Sequence, residues 1–194
     1  MRQLIVTAFI SLDGVMEAPG GEPGYRNSGW TMQSVEFDPA AYEIKGREQQ
    51  QAEVLLFGRT SYEAFAPVWP TIDDFAHMNT LPRYVVSTTL DSDDDRWPAT
   101  ILRSLDDVAA LKDTDGDSET DGGPILVQGS ATLGASLADA GLVDRYHLLV
   151  FPVLLGAGRR LFSTADKEME RLQLVEHEVY ANGVQKQVFD VIQG

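Results

Sequence analysis

Residues 125–142 read ILVQGSATLGASLADAGL, and the change of pattern inside this stretch decides the fold. Ile125, Leu126 and Val127 form a short apolar run introduced by the turn residues Gly122, Gly123 and Pro124, which is how a buried strand is announced. A helix follows at once: Leu133 and Leu137 share a face, Ser130 is placed to cap the start, and Gly141 falls where a left-handed residue ends a helix. Only Gln128 and Gly129 separate strand from cap, so the free N–H groups of the first turn open at the strand's carboxyl end. Such an end attracts anions, and glycine lets a phosphate approach the backbone. An empty strand-to-helix turn has the same pattern, so this stretch alone leaves both readings open.

A second turn of the same design lies earlier. Residues 54–57 are a short apolar strand running straight into Gly58-Arg59-Thr60-Ser61-Tyr62-Glu63. Thr60 and Glu63 stand at capping-box spacing, which predicts the helix start, and Pro67 and Pro70 close the helix. A guanidinium beside a helix N-terminus makes a two-part anion site, with backbone donors on one side and the planar Arg59 fork on the other. Two such tips argue for a nucleotide more strongly than either alone.

The remaining elements fall into place around these tips. Residues 3–11 (QLIVTAFIS) are β-branched and aromatic and read as a central strand ending at Leu12-Asp13-Gly14, where Asp13 is also ordinary turn chemistry. Residues 15–30 form an aperiodic glycine- and proline-bearing loop of functional length. Residues 39–53 read as a helix capped by Asp38 with Pro39 first, its polar run Glu48-Gln49-Gln50-Gln51 taken as a solvated face. Residues 84–87 are a third strand whose end carries the hydroxyls of Ser87, Thr88 and Thr89; residues 100–103 read as an edge strand and 105–112 as a helix capped by Ser104. Residues 144–153 give another strand, and Asn182-Gly183 joins strands at 172–180 and 184–192 in a hairpin. The order predicts one α/β domain over residues 1–194, with a mostly parallel sheet flanked by helices and a C-terminal antiparallel hairpin.

Composition narrows the chemistry. With no cysteine among 194 residues, disulfides, thiolate nucleophiles and cysteine-based zinc sites are excluded. His77, His147 and His177 are far apart and lack metal-ligand spacing, so they read as structural or solvent-facing and no metal is expected. Gly156-Ala157-Gly158 lacks the third glycine of a dinucleotide fingerprint, and Gly134 to Ala138 misses the nucleophile-elbow pattern by one residue. Thirty acidic against 15 basic residues give a net charge of −15, which argues against nucleic acid as a partner and resembles proteins of a salt-rich cytoplasm. Much of the excess lies in residues 91–96 and 113–121, the second within an acidic linker read over 113–123. No apolar run of about 18 residues and no cleavable leader pattern is present, so a cytoplasmic location and no membrane association are expected. What remains is a nucleotide site without an obvious nucleophile, a setting that suits hydride transfer.

Ser11-Leu12-Asp13-Gly14, Gly58 through Glu63, Gly129-Ser130-Ala131-Thr132-Leu133, Leu142-Val143-Asp144, and Pro152 with Gly156, Gly158, Leu161 and Phe162 occur together and in order. This set resembles the dihydrofolate reductase-like family that includes the C-terminal reductase domain of bacterial riboflavin biosynthesis, here as a stand-alone member. The resemblance implies a dihydrofolate reductase-like fold, NADPH as hydride donor and a small heterocyclic substrate such as a pterin or aminouracil. It places Gly129, Ser130, Ala131, Thr132 and Leu133 on the cofactor diphosphate, with a possible cis peptide between Gly129 and Ser130. Gly58, Arg59, Thr60 and Ser61 meet the cofactor phosphates, Ser87 and Thr88 lie near the 2′-phosphate, and Ala8 faces the nicotinamide. The loop through Trp30 is the flap, Trp30 and Gln128 face the substrate, and Asp13 orients it or relays a proton. Family members commonly form homodimers through sheet edges.

Two positions depart from the riboflavin-pathway pattern. Gln128-Gly129-Ser130 stands where Glu-Gly-Gly is usual, and Arg145 where Glu often follows Asp144. A non-catalytic nucleotide-binding module and a riboflavin-pathway 5-amino-6-(5-phosphoribosylamino)uracil reductase are therefore kept as alternatives. Dihydrofolate reductases carry a buried acid on the helix after the flap; Glu36, Asp38 and Glu43 occupy that region and each reads as a surface carboxylate.

Overall fold

The computed structural model describes residues 1–91, 95, 97–114 and 122–192. Most of the two acidic segments, residues 92–94, 96 and 115–121, lies outside them, and so does most of the expected linker, whose first residue, Asp113, belongs to a helix. Among the described residues the strands are β1 (Leu4–Ser11), β2 (Val54–Gly58), β3 (Arg83–Val86), β4 (Thr100–Leu102), β5 (Ile125–Gln128), β6 (Arg145–Phe151), β7 (Arg171–Val179) and β8 (Gln185–Ile192). The helices are α1 (Trp30–Gln33), α2 (Pro39–Gln51), α3 (Arg59–Phe65), α4 (Ala76–Thr80), α5 (Leu105–Asp113) and α6 (Ala131–Asp139).

The strands make one sheet in the order β4-β3-β2-β5-β1-β6-β8-β7. Pairing is parallel from β4 through β6 and antiparallel at β6–β8 and β8–β7. β1 is central and covered on both faces, which explains its nearly continuous apolar run. Its even residues, Leu4, Val6, Ala8 and Ile10, pack with Leu133, Leu137 and Ala138 of α6, whereas Ile5 faces Leu55, Phe57, Leu126 and an aromatic group around Trp69 and Trp97. A third cluster joins Ala41 and Ile44 of α2 to Trp30, Leu149 and Phe151.

Helix ends follow local chemistry with two exceptions. Asp38 caps α2 by accepting from Ala40 N–H, and Ser104 forms a full capping box with Asp107. Gly141, at φ 66°, ends α6 with bonds from Gly141 N–H to Ala138 O and from Leu142 N–H to Leu137 O, the pattern of a Schellman cap. Ser130, by contrast, makes no side-chain cap: at φ 66° its hydroxyl turns away to β2. Thr60 makes no capping box either, because α3 already starts at Arg59 and Glu63 is drawn into an ion pair with that residue at 2.9 Å.

Candidate functional site

A cavity of about 1580 Å³ opens at the carboxyl ends of β2 and β5. It is the place where open α/β sheets take ligands, since both helices that follow begin there. Gly58, Arg59, Thr60, Ser61, Gln128, Gly129, Ser130, Ala131, Thr132 and Leu133 all line it, so the two strand tips belong to one site. They also touch: Gly58 N–H donates to Ser130 Oγ at 2.8 Å. Gly129 and Ser130 both sit in the left-handed region, at φ 62° and 66°. Gly129 is required there twice over, by its φ and because an added Cβ would lie 3.2 Å from Ser61 Oγ and 3.5 Å from the Phe65 ring. The peptide between Gly129 and Ser130 is trans, correcting the possible cis bond; paired left-handed residues make the sharp turn instead.

Backbone and guanidinium donors stand at these tips. Gly134 N–H closes the first turn of α6 on Ser130 O at 2.7 Å, leaving the earlier N–H groups without a carbonyl of their own helix. Arg59 is exposed and held from both sides, by Glu63 Oε1 at 2.9 Å and by Thr89 Oγ1 at 2.6 Å. Arg103, Ser104 and Leu105 add a third strand-to-helix junction to the same cavity. The Arg103 guanidinium is fixed on Ser87 O at 2.9 Å and Leu90 O at 3.0 Å. Sequence reading missed Arg103, although a basic residue between a strand and the Ser104 cap repeats the pattern of Arg59. Ser87 and Thr88 do not line the cavity; the Ser87 hydroxyl accepts from Thr89 N–H and Leu90 N–H and shapes the turn that carries Arg103.

Ala8 lines the cavity; Asp13 and Trp30 do not. Asp13 clamps the loop after β6: its carboxylate accepts from Ser11 Oγ at 2.7 Å, Leu155 N–H at 3.1 Å and Gly156 N–H at 2.8 Å. The Ser11 hydroxyl and these backbone donors overcome its desolvation and hold its pKa down at about 2. Trp30 is buried, donates from Nε1 to Glu17 O at 2.9 Å and meets Phe151 edge-on, so it fixes the base of the 15–30 loop. The other end of that loop, Met16 through Gly24, walls the cavity. Gln128 lines the cavity with its Oε1 buried and without a hydrogen-bond partner.

The largest difference from expectation is Glu48. Assigned to a solvated face, it is 4% exposed, because Ala41, Ile44 and Glu48 recur on the buried side of α2. The signal was present in that spacing, which continues the apolar stripe through a charged residue. Thr7, the polar interruption in β1, supplies the reason: its hydroxyl donates to the Glu48 carboxylate, with both oxygens at 2.9 Å. His147, beside Thr7 in the β1–β6 register, is also buried and its Nδ1 lies 2.9 Å from Glu48 Oε1. Lys45 Nζ completes the cluster, donating to Thr7 Oγ1 and lying 3.3 Å from Glu48 Oε2. Burial would raise the Glu48 pKa, but the Lys45 ammonium, His147 and Thr7 hold it below the ordinary carboxylate value. Glu48 is thus a buried acid on α2, the helix that follows the 15–30 loop, in the region where the sequence offered Glu36, Asp38 and Glu43 and read each as a surface carboxylate.

A mostly parallel sheet with a C-terminal antiparallel hairpin, and a cavity at paired strand-to-helix tips, define a dihydrofolate reductase-like domain. The family model described as the RibD C-terminal domain matches residues 2–186, and the chain belongs to that family. The Bacillus subtilis protein YyaP, itself uncharacterized, is 25% identical over 195 residues, covering 97% of this chain and 94% of its own. A protein from Shewanella sp. PV-4 carrying a provisional riboflavin-biosynthesis name superimposes with a TM-score of 0.72 at 19% identity, over 98% of this chain and 99% of that one. Dihydrofolate reductase from Enterococcus faecalis, solved with NADP(H) and RAB-propyl, superimposes with a TM-score of 0.61 at 12% identity, over 98% and 97%. At these identities the two structures attest the fold. Among the described residues no group of His, Asp and Glu is arranged to hold a metal ion, and no helix is long and apolar enough to cross a membrane.

Proposed function

We propose that the protein is an NADPH-dependent reductase acting on a small heterocyclic substrate. The observation that carries this reading is the meeting of both glycine-led tips, 58–61 and 128–133, in one cavity with Arg59 at its rim. The residues fit the cofactor: uncommitted N–H groups at the start of α6 and the left-handed turn at Gly129 and Ser130 on the cavity wall suit a diphosphate. Arg59 and Arg103 meet its phosphates, with Ser87 acting through the turn beneath Arg103. When bound, NADPH supplies a hydride; Gln128 and the corner at Thr7, Phe9 and Lys45 receive the substrate, and residues 16–24 exclude water. Asp13 serves this site by clamping the loop at 155–156.

Titration with NADPH, followed by absorbance at saturating cofactor with a panel of pterins, aminouracils, quinones and aldehydes, tests the reading. Saturable binding and oxidation of NADPH by a panel member support it, and no binding overturns it. Family membership favours a second reading, the ribosylaminouracil phosphate reductase step, for which Gln128→Glu raising activity is the expected sign. Binding without reduction of any compound would point to a nucleotide-binding module. The reading includes a homodimer through the late strands, since β7 forms a sheet edge carrying exposed Leu172, Leu174 and Val175, and a cytoplasmic, salt-rich setting.

A further inference from the structure

We infer that Lys45, held by Thr7 and Glu48 against the Phe9 ring, gives the proton to the substrate's heteroatom, and that the substrate class is therefore a carbonyl or imine compound presenting an acceptor oxygen or nitrogen to that corner. The inference rests on the reductase reading and goes beyond it by naming the acid. A reductase of this kind adds hydride to carbon, and the neighbouring heteroatom needs a proton that the cofactor does not carry. Asp13 is outside the cavity lining and saturated with donors, and the cavity-lining Gln128 has no acid proton to give.

Lys45 meets the geometric requirements. Its side chain is 12% exposed and lines the cavity beside Thr7, Phe9 and Tyr42. The ammonium lies 4.9 Å from the centre of the Phe9 ring, which positions it without accepting a proton. It spends one N–H on Thr7 Oγ1 and one on Glu48 Oε2, leaving the third without an acceptor among the described residues. Glu48 is a fixed counterion here. Its two oxygens are already shared by Thr7, Lys45 and His147, so the face offered to a ligand is a donor and not a carboxylate.

In the step, one Nζ–H bond of Lys45 breaks as an O–H or N–H bond forms on the substrate, while the adjacent carbon gains hydride from the reduced dinucleotide named above. Lys45 is left as a neutral amine and regains its proton from water through the cavity mouth. Desolvation favours this by drawing the Lys45 pKa below its ordinary value, against the opposing charge of Glu48. The charged and titratable groups around the ammonium are Glu48 and Tyr42 on its own helix and His147 on β6, with Glu17, Glu22, Arg59, Asp74, Arg103 and Arg159 lining the same cavity.

The test combines NADPH titration, pH–rate profiles and competitive acetylation of the wild-type protein. Lys45→Met is expected to keep NADPH affinity within about twofold and to lose roughly 10²–10⁴ in turnover. Wild-type turnover falls as pH rises through the Lys45 pKa; Lys45→Arg keeps the charge and loses that alkaline limb, a change no packing role produces. The proposal is overturned if Lys45→Met turns over within threefold of wild type, or if the alkaline limb survives Lys45→Arg. If wild type binds NADPH but reduces no panel compound, acetylation decides: a Lys45 amine titrating below the ordinary lysine value supports the proposal, and one at or above it overturns it. Failure of wild type to bind NADPH instead brings down the reductase reading, a result separate from all of these.

Discussion

The Gly58 N–H donates a hydrogen bond to the Ser130 hydroxyl across 2.8 Å, tying the tip after β2 to the tip after β5. Parallel pairing of Val54, Leu55 and Leu56 with Ile125, Leu126 and Val127 brings the two turns side by side, and this bond fixes their spacing. Ser130→Ala removes the acceptor from a partly buried amide, so a loss of about 0.5–1.5 kcal/mol is expected. Urea denaturation of the variant checks it, and NADPH affinity is expected to weaken in parallel as the two tips lose their common reference.

Arg59 is held by Glu63 and Thr89 on either side of its guanidinium. Its contribution to a phosphate contact is about 1.5–3 kcal/mol, so Arg59→Ala is expected to weaken NADPH binding roughly ten- to hundredfold. Fluorescence titration reads this directly. Unchanged affinity would mean that the phosphate contact is wrongly assigned.

Removing Glu48 leaves Lys45 and His147 in a buried corner without their anion. Glu48→Leu is expected to cost about 3–5 kcal/mol, and Glu48→Gln less, because an amide oxygen still accepts from Thr7. The sign of the pH effect follows from the depressed pKa of Glu48. A carboxylate more acidic when folded adds stability above its unfolded pKa, and that contribution is lost as pH falls through the folded value. Denaturation midpoints of wild type and Glu48→Gln should therefore converge as the solution is acidified below about pH 4.5.

Asp13 gives a second, independent acid limb. Its pKa of about 2 against a reference of 3.8 means that the clamp on residues 155–156 is complete above pH 4 and fails as pH falls through about 2. Asp13→Asn is expected to lower the melting temperature at pH 7, with the difference shrinking toward pH 2. A difference that stays constant over this range would show that the carboxylate charge is not what holds the loop.

With 30 acidic and 15 basic residues, self-repulsion opposes the compact state at low ionic strength. Screening should relieve it, so stability is expected to rise with KCl into the molar range. A curve of melting temperature against KCl that shows no gain there would rule out adaptation to a salt-rich cytoplasm.

The architecture was legible because its signals are local. The β-branched and aromatic run in residues 3–11, turn residues around 122–124, the Asn182-Gly183 hairpin and the Gly141 cap each act within a few residues. Gly58 and Gly129 were legible as strand-to-helix turn residues for the same reason, and both line the cavity. The polar corner of Thr7, Lys45, Glu48 and His147 was not, since it depends on partners distant in the chain: Glu48 reads as surface until Thr7, 41 residues earlier, and His147, 99 residues later, are seen to face it. Ser130 stands at the N-cap position as read, but its hydroxyl makes no cap because its real partner, Gly58, lies 72 residues away.

The central claim is that one dinucleotide spans both tips, and a crystal structure of the protein grown with saturating NADPH tests it most directly. The account predicts density for the diphosphate against Gly129 to Leu133, with a phosphate oxygen within hydrogen-bond reach of Arg59. Cofactor density that touches only one tip, or lies outside the cavity at the carboxyl ends of β2 and β5, would contradict it.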